Sequence, residues 1–440
     1  MEAPGMAKSN NRIALFSPVL KGLKDWLSLT GLISDALKVE YKVDIYSRDG
    51  KNDSFPYHEF TWRHLKQPYS LNIYNLQGGE DYSYMLPFVF THPGLVVLRR
   101  YSIATDLWRM HTLDSTEEDF ISEMIFNYGR IGEMVGQLMW RKMWGEALER
   151  KYPMFLLLAE GSLWVSAFDD WIVSGVRGES ASERLSLLPP PFEPVTKPED
   201  NDRLNLITLY TEEHPLLLGD IAEAAGDLVG EQNSTGLTVI SDEHYADDAK
   251  KILSKNKMSK SCTVLVPGKK GEIEKAFKEA DLFLFLEDPA YPTEVLPLYF
   301  AASTGCTSVV TDTRARLDLP EDTFPRYRFR DRKKGLLSLL RNISETSKKA
   351  KSLNEKTVKW YKKLSKAAGA DGINPFFTDE ICKTAACAIA GKSGWSRPVD
   401  YPAHLHDYSS RLEASIRDRL EGFPASEKID EAIRFIINSK

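Results

Sequence analysis

Short apolar runs alternate along the chain with stretches in which apolar residues recur every three or four positions. Ile13-Ala14-Leu15-Phe16 and Val43-Asp44-Ile45-Tyr46 are two such runs, and between them Leu27, Leu29, Leu32, Ile33, Ala36 and Leu37 share one face of a helix. The loop ahead of that helix, Ser17-Pro18-Val19-Leu20-Lys21-Gly22, carries a proline and a glycine. Run, helix and run predict a βαβ unit, with parallel strands, a right-handed crossover and a sheet covered on both faces. Further buried strands are predicted at 71–76 and 95–98, the second introduced by the Pro93-Gly94 turn. Residues 115–150 alternate charged and apolar positions and predict one or two helices, with Ser115 as N-cap and Glu117 and Glu118 in the first turn. A strand at 162–165 and another helix follow.

Pro189-Pro190-Pro191 cannot continue a helix or a central strand, and residues 189–202 hold five prolines among polar residues. This stretch predicts a linker. Beyond it a second alternation starts, with strands at 204–210, 237–241, 262–266, 282–286 and 308–311 and helices at 216–225, 246–254, 271–280 and 295–303. The expected architecture is α/β: two doubly wound, Rossmann-like domains facing across a cleft, plus C-terminal helices at 333–366 and 409–437. The expected boundaries are 1–190, a proline-rich hinge at 191–202, 203–330, and a helical region at 331–440. Ligands of open α/β sheets bind outside the carboxyl ends of the strands, so the cleft is the expected site.

Composition then narrows the class. At 440 residues, 42% hydrophobic and 27% charged, the chain is long enough for two cores without disulfide staples. Its 57 basic and 63 acidic side chains give a net charge of −6, so no global field draws it to nucleic acid or anionic lipid. Cys262, Cys306, Cys382 and Cys387 form no CxxC pair and neighbour no histidine, which argues against a zinc site and for a reducing compartment. Residues 1–11 lack a leader's apolar core and no run of eighteen apolar residues occurs, so a cytoplasmic protein is expected, with at most peripheral membrane contact.

An ordered set of segments carries more information than any single motif. IALFSPVLKGLKDWLSLTGLISDALKVEYKVDIY (13–46), YSYMLPFVFTHPGLVVL (82–98) and FISEMIFNYGRIGEMVGQL (120–138) are followed by GSLWVSAFDDWIV (161–173) and LLPPPFEP (187–194). VLVPGKKGEIEKAFKEADLFLFL (264–286) and YPTEVLPLYFAASTGCTSVVTDT (291–313) complete the set. In order and spacing, over residues 12–315, these resemble the GT-B glycosyltransferases, specifically the retaining, family-4-like group that uses nucleotide-diphosphate sugars. The resemblance implies transfer of a sugar from a nucleotide-diphosphate co-substrate to a carbohydrate, lipid-linked or protein acceptor, with retention of anomeric configuration and no required cofactor or metal.

Glycine loops before helices offer backbone N–H groups to a diphosphate. On this ground and by the resemblance, donor binding is assigned to Lys21, Gly22, Gly268, Lys269, Thr293 and Glu294. Acceptor-side residues are Tyr82, Arg99, Arg100 and Ser166, and the catalytic candidates are Arg99, Arg100 and Glu294. Several positions depart from the family pattern. Arg99-Arg100 stand where many relatives have a histidine followed by an aspartate, and Tyr82 replaces an upstream histidine. Phe300 replaces the second of two acids about seven apart, and Glu294 lies near the first, where it also serves as an acid at a helix N-terminus. Thr211-Glu212-Glu213-His214 puts carboxylates where relatives offer a base. Guanidinium groups are bidentate phosphate binders, so Arg99 and Arg100 could compensate. The departures leave two alternatives to a transferase: a catalytically degenerate GT-B scaffold or regulatory subunit, and another nucleotide-sugar enzyme such as an epimerase.

Three other features are assigned bland roles. Residues 326–334, RYRFRDRKK, read as a solvated connector whose cations pair with nearby acids, the other reading being an anionic-membrane patch. His404-Leu405-His406-Asp407 reads as surface imidazole, without metal. Met134, Met139, Trp140, Met143 and Trp144 at helical spacing read as core or a partner face, and self-association is left open.

Overall fold

The computed structural model describes residues 12–405 apart from 20–27, 144–145, 196–203, 212–215, 232–234, 257, 259–260, 269, 290–292, 345–346 and 366–373. The apolar runs form two sheets. In the first, β1 (Arg12–Phe16), β2 (Lys42–Ser47), β3 (Phe55–Pro56), β4 (Leu71–Leu76), β5 (Leu95–Leu98), β6 (Trp164–Ala167) and β7 (Leu185–Leu187) lie in the order β3-β2-β1-β4-β5-β6-β7. In the second, β8 (Leu204–Tyr210), β9 (Thr235–Ser241), β10 (Cys262–Leu265), β11 (Leu282–Phe285), β12 (Thr307–Thr311) and β13 (Arg326–Tyr327) lie in the order β10-β9-β8-β11-β12-β13. Every pairing is parallel. β1, β4, β5, β11 and β12 are buried along their whole length because helices cover both faces, which is why β5 and β11 read as unbroken apolar runs and the others as mainly apolar ones. The strand order reverses between β1 and β4 and again between β8 and β11, which creates the crevice typical of such sheets.

The two expected parallel sheets are present. The strands that sequence pattern missed, β3, β7 and β13, are two or three residues long and lie at sheet edges, too short to show a period. The strand expected at 162–165 runs from Trp164 to Ala167, so Ser166 falls inside it. Gly94 at the entry to β5 has no room for a side chain, since a Cβ there would lie 2.1 Å from the Asn72 carbonyl oxygen.

Ser115 is not an N-cap. It ends the helix Ala104–Asp114 in a left-handed conformation with φ 57°, and the next helices, Glu117–Tyr128 and Arg130–Trp140, are separated by Gly129. The expected linker is only partly linker-like, because residues 188–193 are buried. Prolines have no N–H, so this buried segment presents mainly carbonyl acceptors, which other segments satisfy. Asn374 donates to the carbonyls of Pro190 and Pro191, and the Tyr361 hydroxyl donates to that of Phe192 at 2.6 Å.

Helices Arg332–Ser344, Ser347–Ser365 and Pro375–Gly391 follow the second sheet. The last begins with Asn374 as N-cap and Pro375 in the first turn, and returns to the first sheet, where Cys382 Sγ lies 3.5 Å from the carbonyl of Ala36 in helix Thr30–Lys38. The helix expected at 409–437 lies outside the described residues. Among the described residues no helix is long and apolar enough to cross a membrane. The basic run pairs with the acidic face of helix Leu218–Glu231: Lys333 meets Glu223 at 2.7 Å and Asp227 at 3.0 Å, and Arg332 meets Asp220 at 3.5 Å.

Candidate functional site

The carboxyl ends of strands from both sheets meet along a seam, and the residues that follow those ends are charged or polar. β5 delivers Arg99, whose backbone N–H is held by the Leu76 carbonyl at 2.9 Å. Its buried guanidinium crosses to Glu294, which lies between β11 and helix Leu296–Ser303. Nε donates to Oε2 at 2.9 Å and Nη2 to Oε1 at 2.8 Å, while Nη1 donates to the Ser28 carbonyl at 2.8 Å. Two parallel N–H···O bonds onto one carboxylate are the strong, directional form of ion pair. Gln77, immediately after β4, donates to Glu294 Oε1 at 3.3 Å and accepts from the Tyr82 hydroxyl at 2.6 Å. Tyr82, Gln77 and Arg99 of the first sheet and Glu294 of the second therefore form one buried hydrogen-bonded chain.

A second network lies across the same seam. Arg316, in the short turn Arg314–Arg316 after β12, is fully buried. Its Nη1 donates to Asp169 Oδ2 at 2.9 Å, and Nη2 donates to Glu287 Oε2 at 3.1 Å and to the Thr293 carbonyl at 2.5 Å. Asp169 follows β6 and also caps helix Asp170–Glu179 by accepting the Trp171 N–H at 2.9 Å. Glu287 follows β11 and accepts from the backbone N–H of Thr293 at 2.8 Å and from its hydroxyl at 3.1 Å. Burial by itself would lower the Arg316 pKa, but the Glu287 and Asp169 carboxylates more than offset it, and the guanidinium is held charged. Desolvation pushes the Glu287 carboxyl upward, against the pull of Arg316. Apolar contacts complete the seam, where Phe192 packs edge-on against Phe300 with ring centroids 5.1 Å apart and the Tyr299 hydroxyl donates to the Phe168 carbonyl at 3.2 Å.

The structure brings together Tyr82, Arg99, Thr293 and Glu294 from the sequence-derived candidates. It does not bring the others to the same place. Arg100 turns away to Glu149 at 2.9 Å and Asp106 at 3.8 Å. Ser166 is buried inside β6 and shares a 2.6 Å hydrogen bond with Ser186 on β7, so its hydroxyl serves the sheet rather than an acceptor. Gly268 is exposed, and its N–H donates to Glu272 in the helix that follows, at 2.8 Å. Lys21, Gly22, Lys269 and residues 212–214 lie outside the described residues. Gln77, Asp169, Glu287 and Arg316 were missed by sequence reasoning. A signal for three of them was present, since Gln77, Asp169 and Glu287 are polar residues within two positions of the end of a buried apolar strand, where open α/β sheets place their sites.

No protein-family model matches the sequence, and no curated protein matches it. Several solved structures do resemble it in fold. A sucrose-phosphate synthase from Thermosynechococcus elongatus superposes with a TM-score of 0.54 at 12% identity, covering 80% of this chain and 94% of its own. WaaG, a glycosyltransferase involved in lipopolysaccharide biosynthesis, gives 0.52 at 12% identity, covering 79% and 95%. A putative UDP-N-acetylglucosamine 2-epimerase from Listeria monocytogenes gives 0.51 at 11% identity, covering 89% and 98%. At such identities the likeness is one of fold, and this fold serves more than one reaction.

Proposed function

We propose, from the GT-B fold that this chain shares with those structures, that it binds a nucleotide-diphosphate sugar at the seam and transfers the sugar to an acceptor hydroxyl. The observation that carries this reading is the buried bidentate pair of Arg99 and Glu294 where the carboxyl ends of the two sheets meet. In the reaction proposed, the bond between the anomeric carbon and the diphosphate oxygen breaks, a bond to the acceptor oxygen forms on the same face, and the acceptor proton leaves with the diphosphate. Arg99 exchanges the Glu294 carboxylate for the diphosphate and stabilises its developing charge, the main catalytic contribution expected of such a site. Thr293, with the loops at Lys21-Gly22 and Lys269, serves the donor and Tyr82 the acceptor, which is a carbohydrate, a lipid-linked sugar or a protein; Arg100, turned to Glu149, and Gly268, whose N–H is held by Glu272, take no part.

A specific feature of the same pair favours a second reading, a non-catalytic GT-B scaffold. All three guanidinium nitrogens of Arg99 already donate to Glu294 or Ser28, so a diphosphate must displace a well-formed buried partner. A thermal-shift panel of UDP-, GDP- and ADP-sugars on the wild-type chain and on Glu294→Gln separates the readings, because ligand at a hundred times its Kd stabilises by about 2.7 kcal/mol. A shift with release of nucleotide diphosphate on adding an acceptor supports the transferase. A shift with a changed sugar and no release supports an epimerase, and no shift with any nucleotide supports the scaffold.

A further inference from the structure

His111, Glu123 and His404 come from three separate parts of the chain and converge on one point. His111 lies in helix Ala104–Asp114, Glu123 in helix Glu117–Tyr128, and His404 in the segment that runs back over these helices near the end of the described chain. His111 Nε2 lies 3.0 Å from Glu123 Oε1, and His404 Nε2 lies 2.9 Å from the same oxygen. One ligand atom from each of the three falls within 4.8 Å of both others. Nitrogen and oxygen ligands about 2.0–2.2 Å from a zinc ion, at angles near 90–110°, sit roughly 3.0–3.5 Å from one another, so small side-chain adjustments accommodate an ion.

Three further observations point to an ion. Glu123 is fully buried, yet its Oε2 has no hydrogen-bond partner among the described residues, a costly arrangement for a carboxylate unless something else binds it. The other ring nitrogen of each imidazole faces an oxygen: His111 Nδ1 is 2.6 Å from Thr116 Oγ1, and His404 Nδ1 is 3.5 Å from Asp119 Oδ1. Such outer partners fix which nitrogen points at a metal and raise its basicity. Thr116 precedes helix Glu117–Tyr128 as N-cap residue but makes no side-chain capping bond, its hydroxyl being turned to His111 instead. Were the cluster hydrogen-bonded without an ion, both Nε2 atoms would have to carry protons aimed at one oxygen while the other oxygen went unused.

We propose that His111, Glu123 and His404 form a binding site for one divalent transition-metal ion of the zinc class. Two imidazoles and a carboxylate suit zinc better than calcium or magnesium, which prefer all-oxygen sites. The ion ties the returning C-terminal segment to the first sheet's helices. Two of its ligands, Glu123 and His404, lie 281 residues apart in the chain. The same segment is already positioned by Arg397, which donates to the Phe90 carbonyl, and by Tyr401, whose hydroxyl donates to the Leu157 carbonyl at 3.3 Å. The sequence signal, His404-Leu405-His406, read as surface imidazole because neither His111 nor Glu123 is near it in the chain; the His404 side chain is only 22% exposed.

The test uses the full-length chain without an affinity tag, stripped with chelator and titrated with Zn²⁺ by calorimetry and with Co²⁺ by visible absorption. One equivalent of Zn²⁺ per chain, a Co²⁺ d–d band and a raised Tm in Zn²⁺ are expected. His404→Gln keeps an amide donor for Glu123, so it preserves the fold, and should weaken Zn²⁺ binding by at least about 100-fold, while Asp119→Asn weakens it by about 10-fold. His244→Ala, at an exposed turn, should bind as wild type. Substoichiometric uptake by the wild-type chain, or equal affinity in folded His404→Gln as judged by circular dichroism, overturns the proposal.

Discussion

Two arginines cross the seam between the sheets, and they do so in different company. Arg316 sits between two carboxylates, Asp169 from the first sheet and Glu287 from the second, and is locked further by the Thr293 carbonyl. Arg99 meets a single carboxylate, Glu294, at the edge of a chain of neutral groups formed by Gln77 and Tyr82. Both are buried. Removing Arg316 strands two desolvated anions, whereas removing Arg99 strands one. The Arg316 network is accordingly the structural fastening of the seam. In the proposed reading the Arg99 pair, charge-balanced and next to the strand-order reversal beside β4, is the one that a ligand anion enters by exchange.

The largest test of this contrast is Arg316→Met, which should cost at least about 3–5 kcal/mol in chemical denaturation because it leaves buried charge uncompensated. Arg99→Met should cost less, and equal costs would erase the distinction. Next in size, Glu294→Gln should lower stability by about 1–3 kcal/mol while tightening nucleotide-diphosphate binding, since it frees Arg99 without changing shape. The double change Arg99→Met with Glu294→Leu should recover most of that stability, as apolar replacement of a buried pair is often neutral, and should abolish nucleotide binding. Retained binding in the double variant would remove Arg99 from the site.

A pH titration separates the seam from the sheet behind it. Burial lowers the His64 pKa from 6.5 to about 4 and that of His92 from 6.5 to about 3. Between those values and 6.5 the unfolded chain binds more protons than the native one, so stability rises with pH up to about 6.5 and is flat above it. Stability is lost as pH falls below that value, and His64→Gln with His92→Gln should flatten the profile. A profile unchanged by the double replacement would place the acid sensitivity in the carboxylates of the seam. The smallest effect belongs to the exposed basic run: Lys333→Ala, which breaks pairs with Glu223 and Asp227, should move the denaturation midpoint least of these variants, and less still at high salt.

The parallel sheets were legible in the chain because a strand buried on both faces must be mainly apolar along its length. Leu71–Leu76, Leu95–Leu98 and Leu204–Tyr210 stand where the pattern puts them, residue for residue. Local cues failed where a competing local arrangement or a tertiary contact prevailed. Ser115 looks like a cap but closes the previous helix, and Pro189-Pro190-Pro191 looks like open linker but is buried because Asn374, some 180 positions away, takes its carbonyls. Arg99 and Glu294 could each be singled out as charged residues next to apolar elements, on opposite sides of an expected cleft. That they neutralise each other depends on which edges of two sheets face, a matter settled by packing between positions 195 residues apart. The same holds for His111, Glu123 and His404. Periodicity reports what a residue shares with neighbours a few positions away, and so it determined the longer strands and the helices between the strands of the second sheet. Only the tertiary structure decided which polar side chains leave water together, because desolvation and ion pairing act through space and leave no local period in the sequence.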